Sequence, residues 1–392
     1  MALDTASGLA SFDVTTARKV DISDLLSAIL TQETALVGRI KKTADVKDTL
    51  HKWPEDTLAP NTVTCNEDTF SNSDPADAAH LTLAATMGDR LRVGALLKDT
   101  AAGKSEVLQV ITIDSATQVH VTRGYGSTSA EAHAVDSVWR IIGSPIQENS
   151  EVAVGDDKWS GTGPTLGQNY SQLFERKIIY GDTMENVSRN GMIAGVKDWF
   201  AHQSKKRTLE LAQELGDTFI NGISAGSIGS DTVYRSMMGL IEFLSQSNSL
   251  KDTTTEDFTE AVANEMVRTA WNQGAMITHL LISADLLSAV TAWESDRVRM
   301  ANDNQKAGRQ IRRWMSELGI ELDIIVDRFM PGDCAAAIKL DDITFGALKG
   351  DDWHTEKLAR TGRLTKWQLS GQFTLEVKNA LKGHILHTNL SA

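Results

Sequence analysis

The spacing of apolar residues changes character several times along the 392-residue chain. Residues 1–20 are small and polar, carry no apolar period and read as an extended arm. Ile22, Leu25, Leu26 and Ile29 then fall at i, i+3, i+4 and i+7, which predicts a short helix capped by Asp21 or Ser23. From 45 to 80 the period is lost among Thr, Asp, Asn and Pro, with Trp53, Pro54, Pro60, Phe70 and Pro75 scattered through the stretch. So long a core-poor segment predicts a projecting loop.

β-branched residues dominate next. Nine of the eighteen residues from Glu106 to Arg123 are Val, Ile or Thr, and Asp114 to Thr117 supplies a turn, the pattern of a β-hairpin. Asp89 to Leu97 reads as a strand pair broken at Gly94, and Ser137 to Ile142 as a closing strand. Residues 81–143 hold six basic and six acidic side chains, so this neutral stretch is expected to be a small inserted β-barrel.

After a Gly-rich stretch at 155–167, Gln172 to Tyr180 alternates as a strand. Ile193, Val196, Phe200, Ser204, Thr208, Leu211, Leu215 and Phe219 are spaced by threes and fours and predict a proline-free helix over 188–221, a strut roughly 50 Å long. Phe258, Val262, Met266 and Ala270 mark another helix, Ile277 to Ser283 a buried strand, Leu286 to Trp293 a helix and Ile320 to Asp327 a strand. Residues 294–308 read as a polar loop. From Trp367 to Val377 the period is two again, with Phe373, Leu375 and Val377 set against Thr374, Glu376 and Lys378. The fold class is α+β.

Composition narrows the function classes. Apolar residues make up 41 % and charged residues 23 %, ordinary globular usage, which excludes disordered and collagen-like chains. Lys and Arg number 39 against 52 Asp and Glu, and a net charge of −13 argues against a protein that wraps nucleic acid through its overall field. Cys65 and Cys334 form no CxxC and predict neither a zinc knuckle nor a disulfide framework. No run approaches the ~18 apolar residues that span a bilayer, and no signal-peptide pattern opens the chain, so no membrane association is expected.

A search for reactive chemistry finds none. Asp341, Asp342, Asp351, Asp352 and Glu356 with His354 have the composition of solvated turns rather than a metal site. His384 and His387 sit three apart on a predicted strand, where they face opposite sides. Gly124 to Gly126 lacks the Lys and Ser/Thr of a phosphate loop, and neither GxSxG nor HExxH occurs. No catalytic residue, cofactor or metal is expected, and the chain is not expected to be an enzyme.

The order of these parts carries a resemblance. Lys52, Trp53, Pro54, Glu55, Asp56, Thr57 and Leu58 resemble the Trp-x-x-Asp-x-Leu stretch that starts the extended loop in one branch of the Hong Kong 97 fold major capsid proteins of tailed double-stranded DNA phages. Val119 to Ala134, around Thr122 to Thr128, is similar to the barrel inserted in that branch. Ala359 to Gly362, followed by Phe373 to Asn379, resembles its closing strands, so the similarity runs over roughly residues 20 to 390.

The resemblance implies an arm and short helix over 1–44, an extended loop over 45–80 lying on a neighbouring subunit, and the inserted barrel over 81–143. It further implies a peripheral domain over 144–235 with the spine helix at 188–221, an axial domain over 236–345, and a return to the peripheral domain over 346–392. Trp53, Asp56, Leu58, Arg297, Arg299 and Arg360 are the expected intersubunit contacts. The implied function is a head protein that self-assembles as hexamers and pentamers of an icosahedral shell around double-stranded DNA, bound without sequence specificity. Its location would be the virion capsid, assembled in the host cytoplasm. Folded pattern begins only near residue 21, which implies a separate scaffolding protein; a portal at one vertex and an optional decoration protein complete the partners. Lys47 and Lys52 lie on the loop, but no partners for a covalent cross-link can be placed and none is expected. The alternatives are a non-viral nanocompartment shell of the same fold and, less favoured, a hydrolase with an accessory β-barrel.

Overall fold

Side-chain alternation and burial can be followed in a computed structural model that describes residues 35–43, 45–56, 61–66, 80–146, 148, 164–183, 199–226, 234–246, 250–293, 298–300, 311–360 and 362–392. The expected arm, the helix at 22–29, residues 188–198 of the strut and most of the 294–308 loop lie outside them. The chain divides into two units, one formed by residues 1–55 with 166–392 and the other by residues 56–165.

The larger unit contains a five-stranded sheet organised by Leu364–Val377. That strand pairs antiparallel with Gln172–Gly181, Ile343–Ala347 and His354–Lys357, and Lys41–Lys42 adds in parallel to Ile343–Ala347. Strict alternation predicts one wet face here, yet every residue from Leu369 to Val377 is buried. Phe373, Leu375 and Val377 enter the apolar core as expected. The polar face is covered as well. Gln372 Nε2 donates to Ser171 Oγ at 2.6 Å, Thr374 Oγ1 to the Tyr170 carbonyl at 3.0 Å, and Glu376 meets His51 Nε2 at 3.2 Å. Each of these three side chains has a partner, which is the condition for placing it there.

The helix Trp199–Asn221 packs on this sheet. Leu211, Leu215 and Phe219 of the predicted stripe are at most 1 % exposed, and Thr208 is buried with its hydroxyl donating to the Ser204 carbonyl at 2.9 Å. A second, seven-stranded sheet runs in the order Leu250–Asp252, Ile385–His387, Ala335–Ile338, His279–Ile282, Glu321–Val326, Ile311–Met315, Val298–Met300. Its helix, Glu260–Asn272, starts where Thr259 Oγ1 accepts from the Val262 amide and buries Val262, Met266 and Ala270. The domain boundary drawn at 345 falls inside the strand Ile343–Ala347, and the tail does not stay with the first sheet: Ile385–His387 joins the second. Among the described residues no helix is long and apolar enough to cross a membrane.

Two parts of the 45–80 stretch that was expected to project are strands instead. Leu50–Glu55 pairs with Thr165–Tyr170, and its Trp53 is 4 % exposed within the core of the larger unit. Thr62–Thr64, with Val63 fully buried, belongs to the six-stranded sheet of the smaller unit. The order there is Thr62–Thr64, Val138–Gly143, Leu96–Asp99, Val107–Ser115, Gln118–Thr122, His80–Thr82. The predicted hairpin is present, but a 3-10 turn at Gly88–Arg90 and the single strand Leu96–Asp99 replace the strand pair at 89–97. Gly94 between them has φ +90°, and a Cβ there would lie 2.5 Å from the Pro145 carbonyl oxygen. Where a closed barrel is expected, the sheet order is open. One bridge, Cys65 with Leu83, joins its two edges, flanked by Asn66 N to Thr82 O at 2.7 Å and Ala84 N to Thr64 O at 2.9 Å.

Gly167 faces Trp53 so closely that a Cβ would sit 2.5 Å from Trp53 Cε2. The indole is held by Phe243 at 6.1 Å between ring centroids and by its Nε1 donating to Glu55 at 2.8 Å, so it has little room to yield. Gly167→Ala is therefore expected to lower stability by about 1–3 kcal/mol, the usual cost of overpacking, as read from urea unfolding of the purified chain; an unchanged midpoint would show that this contact is not tight.

Candidate functional site

Four of the expected contact residues, Trp53, Asp56, Arg299 and Arg360, fall among the described residues. Trp53 is a core residue and its indole is unavailable to a neighbour. Asp56 is exposed at the end of the Leu50–Glu55 strand, while Leu58 and Arg297 lie outside the described residues. Arg299 sits on Val298–Met300 opposite Arg313, whose guanidinium meets Asp323 at 2.9 Å and Glu321 at 3.4 Å. Arg360 is exposed and pairs with Asp182.

The acidic stretch at 341–356 is taken up piecemeal. Asp341 pairs with Lys41, Asp352 with Lys42, Asp342 with Lys339 at 3.1 Å, and Asp351 lies 3.5 Å from His354. The hydrogen bond and charge of Lys41 hold the Asp341 carboxyl below the usual range. The lysines of the parallel strand Lys41–Lys42 thus tie that segment down rather than leaving a free carboxylate cluster. His384 is fully buried, accepting from the Lys339 amide at 3.2 Å and donating to the Lys378 carbonyl at 3.1 Å, and burial pushes its pKa down. His387 instead faces Glu256 at 2.8 Å and Asp252 at 3.8 Å. These three line a cleft with Val262 and Met266, but hydrogen bonds from Thr254 hold the Asp252 carboxyl low, so it is not tuned as a general acid at neutral pH. Both cysteines are buried and neither is in a disulfide, and burial with the neighbouring Asp333 pushes Cys334 up to about 12, which leaves it inert.

The most organised polar site is internal to the smaller unit and was not anticipated. Asp99, Glu106, Arg123 and His133 are all at most 8 % exposed. Arg123 clamps Glu106 through Nε at 3.0 Å and Nη2 at 2.8 Å, the two-pronged geometry that suits a guanidinium and a carboxylate. Glu106 also accepts from the Gly124 amide at 3.1 Å, the Glu131 amide at 2.8 Å and His133 Nε2 at 2.9 Å. His133 Nδ1 reaches Asp99 Oδ2 at 2.6 Å, and the ring lies 4.4 Å from that of Trp139. The imidazole of His133 thus bridges the two carboxylates, and Arg123 holds one of them from the other side. Burial pushes the Glu106 pKa up, but the bonds from Arg123, the Glu131 amide and His133 outweigh it and hold the carboxyl below 4.5. The network fastens the 123–133 loop to two strands.

Its signal is visible in the sequence once the strand parity is carried one step further. Ala95 and Leu97 point inward, and so must Asp99; Leu108 and Val110 place Glu106 inward; Val119 and Val121 do the same for Arg123.

A family model described as SU10 major capsid protein matches residues 8–391. None of the curated proteins matches the chain. Among solved structures, the chain is similar to a protein of the Cyanophage A-1(L) capsid asymmetric unit, at 13 % identity over 64 % of this chain and 85 % of that one, with a TM-score of 0.48. It is similar also to a protein of Mycobacterium phage Adephagia, at 10 % identity over 100 % and 98 % of the two chains and a TM-score of 0.42. The holo-SrpI encapsulin complex from Synechococcus elongatus PCC 7942 gives 11 % identity over 58 % and 76 %, with a TM-score of 0.42. The weight rests on the family match.

Because the Glu106 pKa is lower folded than unfolded, its contribution to stability is complete above about pH 4.5 and is lost as the pH falls through the folded value. Glu106→Gln leaves Arg123 without its buried counter-charge, and a loss of about 3–5 kcal/mol at pH 7 is expected, together with a shallower fall in stability between pH 5 and pH 3. Urea unfolding across that range checks both; equal stability of the variant at pH 7 would mean the network holds nothing together.

Proposed function

The chain belongs to the SU10 major capsid protein family, and from that premise we propose how it builds its shell. Its role is that of a structural capsid protein and its place is the virion capsid. The family match over residues 8–391 is the observation that carries this, and it names neither an enzyme nor a cargo compartment.

In the proposed assembly, copies associate as hexamers and pentamers of an icosahedral shell with the Hong Kong 97 arrangement of arm, extended loop, peripheral domain and axial domain. The edge strand Gln172–Gly181 supports association with further copies: it is ten residues long, and Leu173 and Ile179 are each 53 % exposed. Among the described residues no strand pairs along its other side. An open edge of this length is a template that another chain can cover, and Glu175, Arg176 and Lys177 at its middle limit unspecific pairing. Asp56, Leu58, Arg297, Arg299 and Arg360 are the proposed contacts, with Trp53 removed from the set because its own core holds it. The net charge of −13 suits a container that holds double-stranded DNA without binding its sequence. A separate scaffolding protein, a portal at one vertex and a decoration protein are the proposed partners, and the host cytoplasm the place of assembly.

Negative-stain microscopy of the expressed chain, alone and with its scaffolding partner, is expected to show hexamers or closed shells, and dispersed monomers under both conditions would defeat the proposal. Denaturing electrophoresis of intact particles is expected to give one band at the chain mass, since no cross-link is proposed; a ladder of covalent multimers would overturn that part.

A further inference from the structure

Three side chains meet on the outward side of the six-stranded sheet and take no part in its core. His80 and His120 stand directly opposite each other where His80–Thr82 pairs with Gln118–Thr122, so both rings leave the sheet on one face, 3.6 Å apart between centroids. Asp114 comes from a third strand, Val107–Ser115. The register there pairs Ile113 with Val119 and Ser115 with Gln118, which leaves Asp114 as the extra residue of a bulge. Bulges re-aim side chains, and this one brings a carboxylate to the two imidazoles.

Asp114 Oδ2 lies 3.6 Å from His80 Nδ1 and 3.6 Å from His120 Nε2, and the three donor atoms all fall within 4.8 Å of one another. These separations are too long for hydrogen bonds. They are close to the spacing of ligands around a tetrahedral ion, about 3.3–3.4 Å for bonds of about 2.0–2.1 Å. The other oxygen of Asp114 accepts from Thr112 Oγ1 at 3.3 Å, which leaves Oδ2 turned toward the rings. His80 Nδ1 is shielded from solvent and has no hydrogen-bond partner, a polar atom that a cation would satisfy.

We propose that His80, Asp114 and His120 bind a first-row divalent transition-metal ion such as zinc, with water completing its coordination. Two imidazoles and one carboxylate suit zinc, cobalt or nickel and not calcium or magnesium, which take oxygen ligands. Side chains 30–40 % exposed leave the ion an entry path and an open position. The three ligands sit on three strands, so the ion ties the edge strand His80–Thr82 to the hairpin. It binds the folded sheet and not the unfolded chain, and so stabilises the unit.

The test is a titration of the full-length, untagged, chelator-treated chain with Co2+, followed by its visible absorption, and with Zn2+ by calorimetry. One ion per chain is expected, with an absorption band of a four- or five-coordinate site, and a higher melting temperature with Zn2+. The double variant His80→Gln, His120→Gln should bind about 100-fold more weakly and Asp114→Asn about tenfold, changes on the scale of lost metal ligation, with the metal-free melting temperature of each unchanged. A wild-type chain without the band, or a double variant that binds as tightly, overturns the proposal. If the double variant does not fold, Asp114→Asn decides by the same criterion.

Discussion

Backbone hydrogen bonding along Leu364–Val377 is what the larger unit depends on. Segments that begin at residues 172, 343 and 354 all pair with this one strand, and Lys41–Lys42 follows through Ile343–Ala347. A strand buried on both faces must satisfy its polar side as completely as its apolar side, because an unmet buried donor or acceptor costs about 1–3 kcal/mol. Asn169 shows how the closure works: its amide donates to the Leu375 carbonyl at 2.8 Å and the Met238 carbonyl at 3.1 Å, and accepts from the Met238 amide at 2.8 Å. One side chain thereby joins three parts of the chain far apart in sequence, and Glu376, held ionised by His51 against the effect of burial, adds a fourth.

The smaller unit uses a different balance. Its apolar core is small, with Trp139, Leu81, Leu97 and Val121 at its centre, and the region between Asp99, Glu106, Arg123 and His133 is closed by charge instead of hydrocarbon. Small domains bury a smaller fraction of their surface, so specificity must come from elsewhere. A buried network built on the Arg123–Glu106 ion pair is costly to break even when it adds little net stability, and it fixes one loop conformation out of many.

What could be read from the chain follows how local each signal is. Glu260–Asn272 and the hairpin around Asp114 to Thr117 were legible because cap, period and turn lie within a few residues of one another. Thr62–Thr64 and His80–Thr82 were not, since three residues cannot display an alternation. The burial of Thr374 and Glu376 was hidden because the groups that cover them, Tyr170 and His51, are 204 and 325 positions away. Trp53 was noticed and misplaced: a motif marks a residue as important without saying whether it faces a neighbour or its own core. Asp99, Glu106 and Arg123 entered only as part of a charge count, although their parity with Leu97, Leu108 and Val121 placed them inside.

The two units also differ in when they can form. Residues 56–165 are continuous, whereas the larger unit is assembled from both ends of the chain. At about 5–20 residues per second, roughly 10–40 s of synthesis separate Gln172–Gly181 from its partner Leu364–Val377. During that interval the small sheet can fold on the ribosome while Leu173 and Ile179 wait on an unpaired strand. A translation product that stops before Leu364 therefore lacks the strand on which Gln172–Gly181, Ile343–Ala347 and His354–Lys357 all pair, so the larger unit is decided late in synthesis.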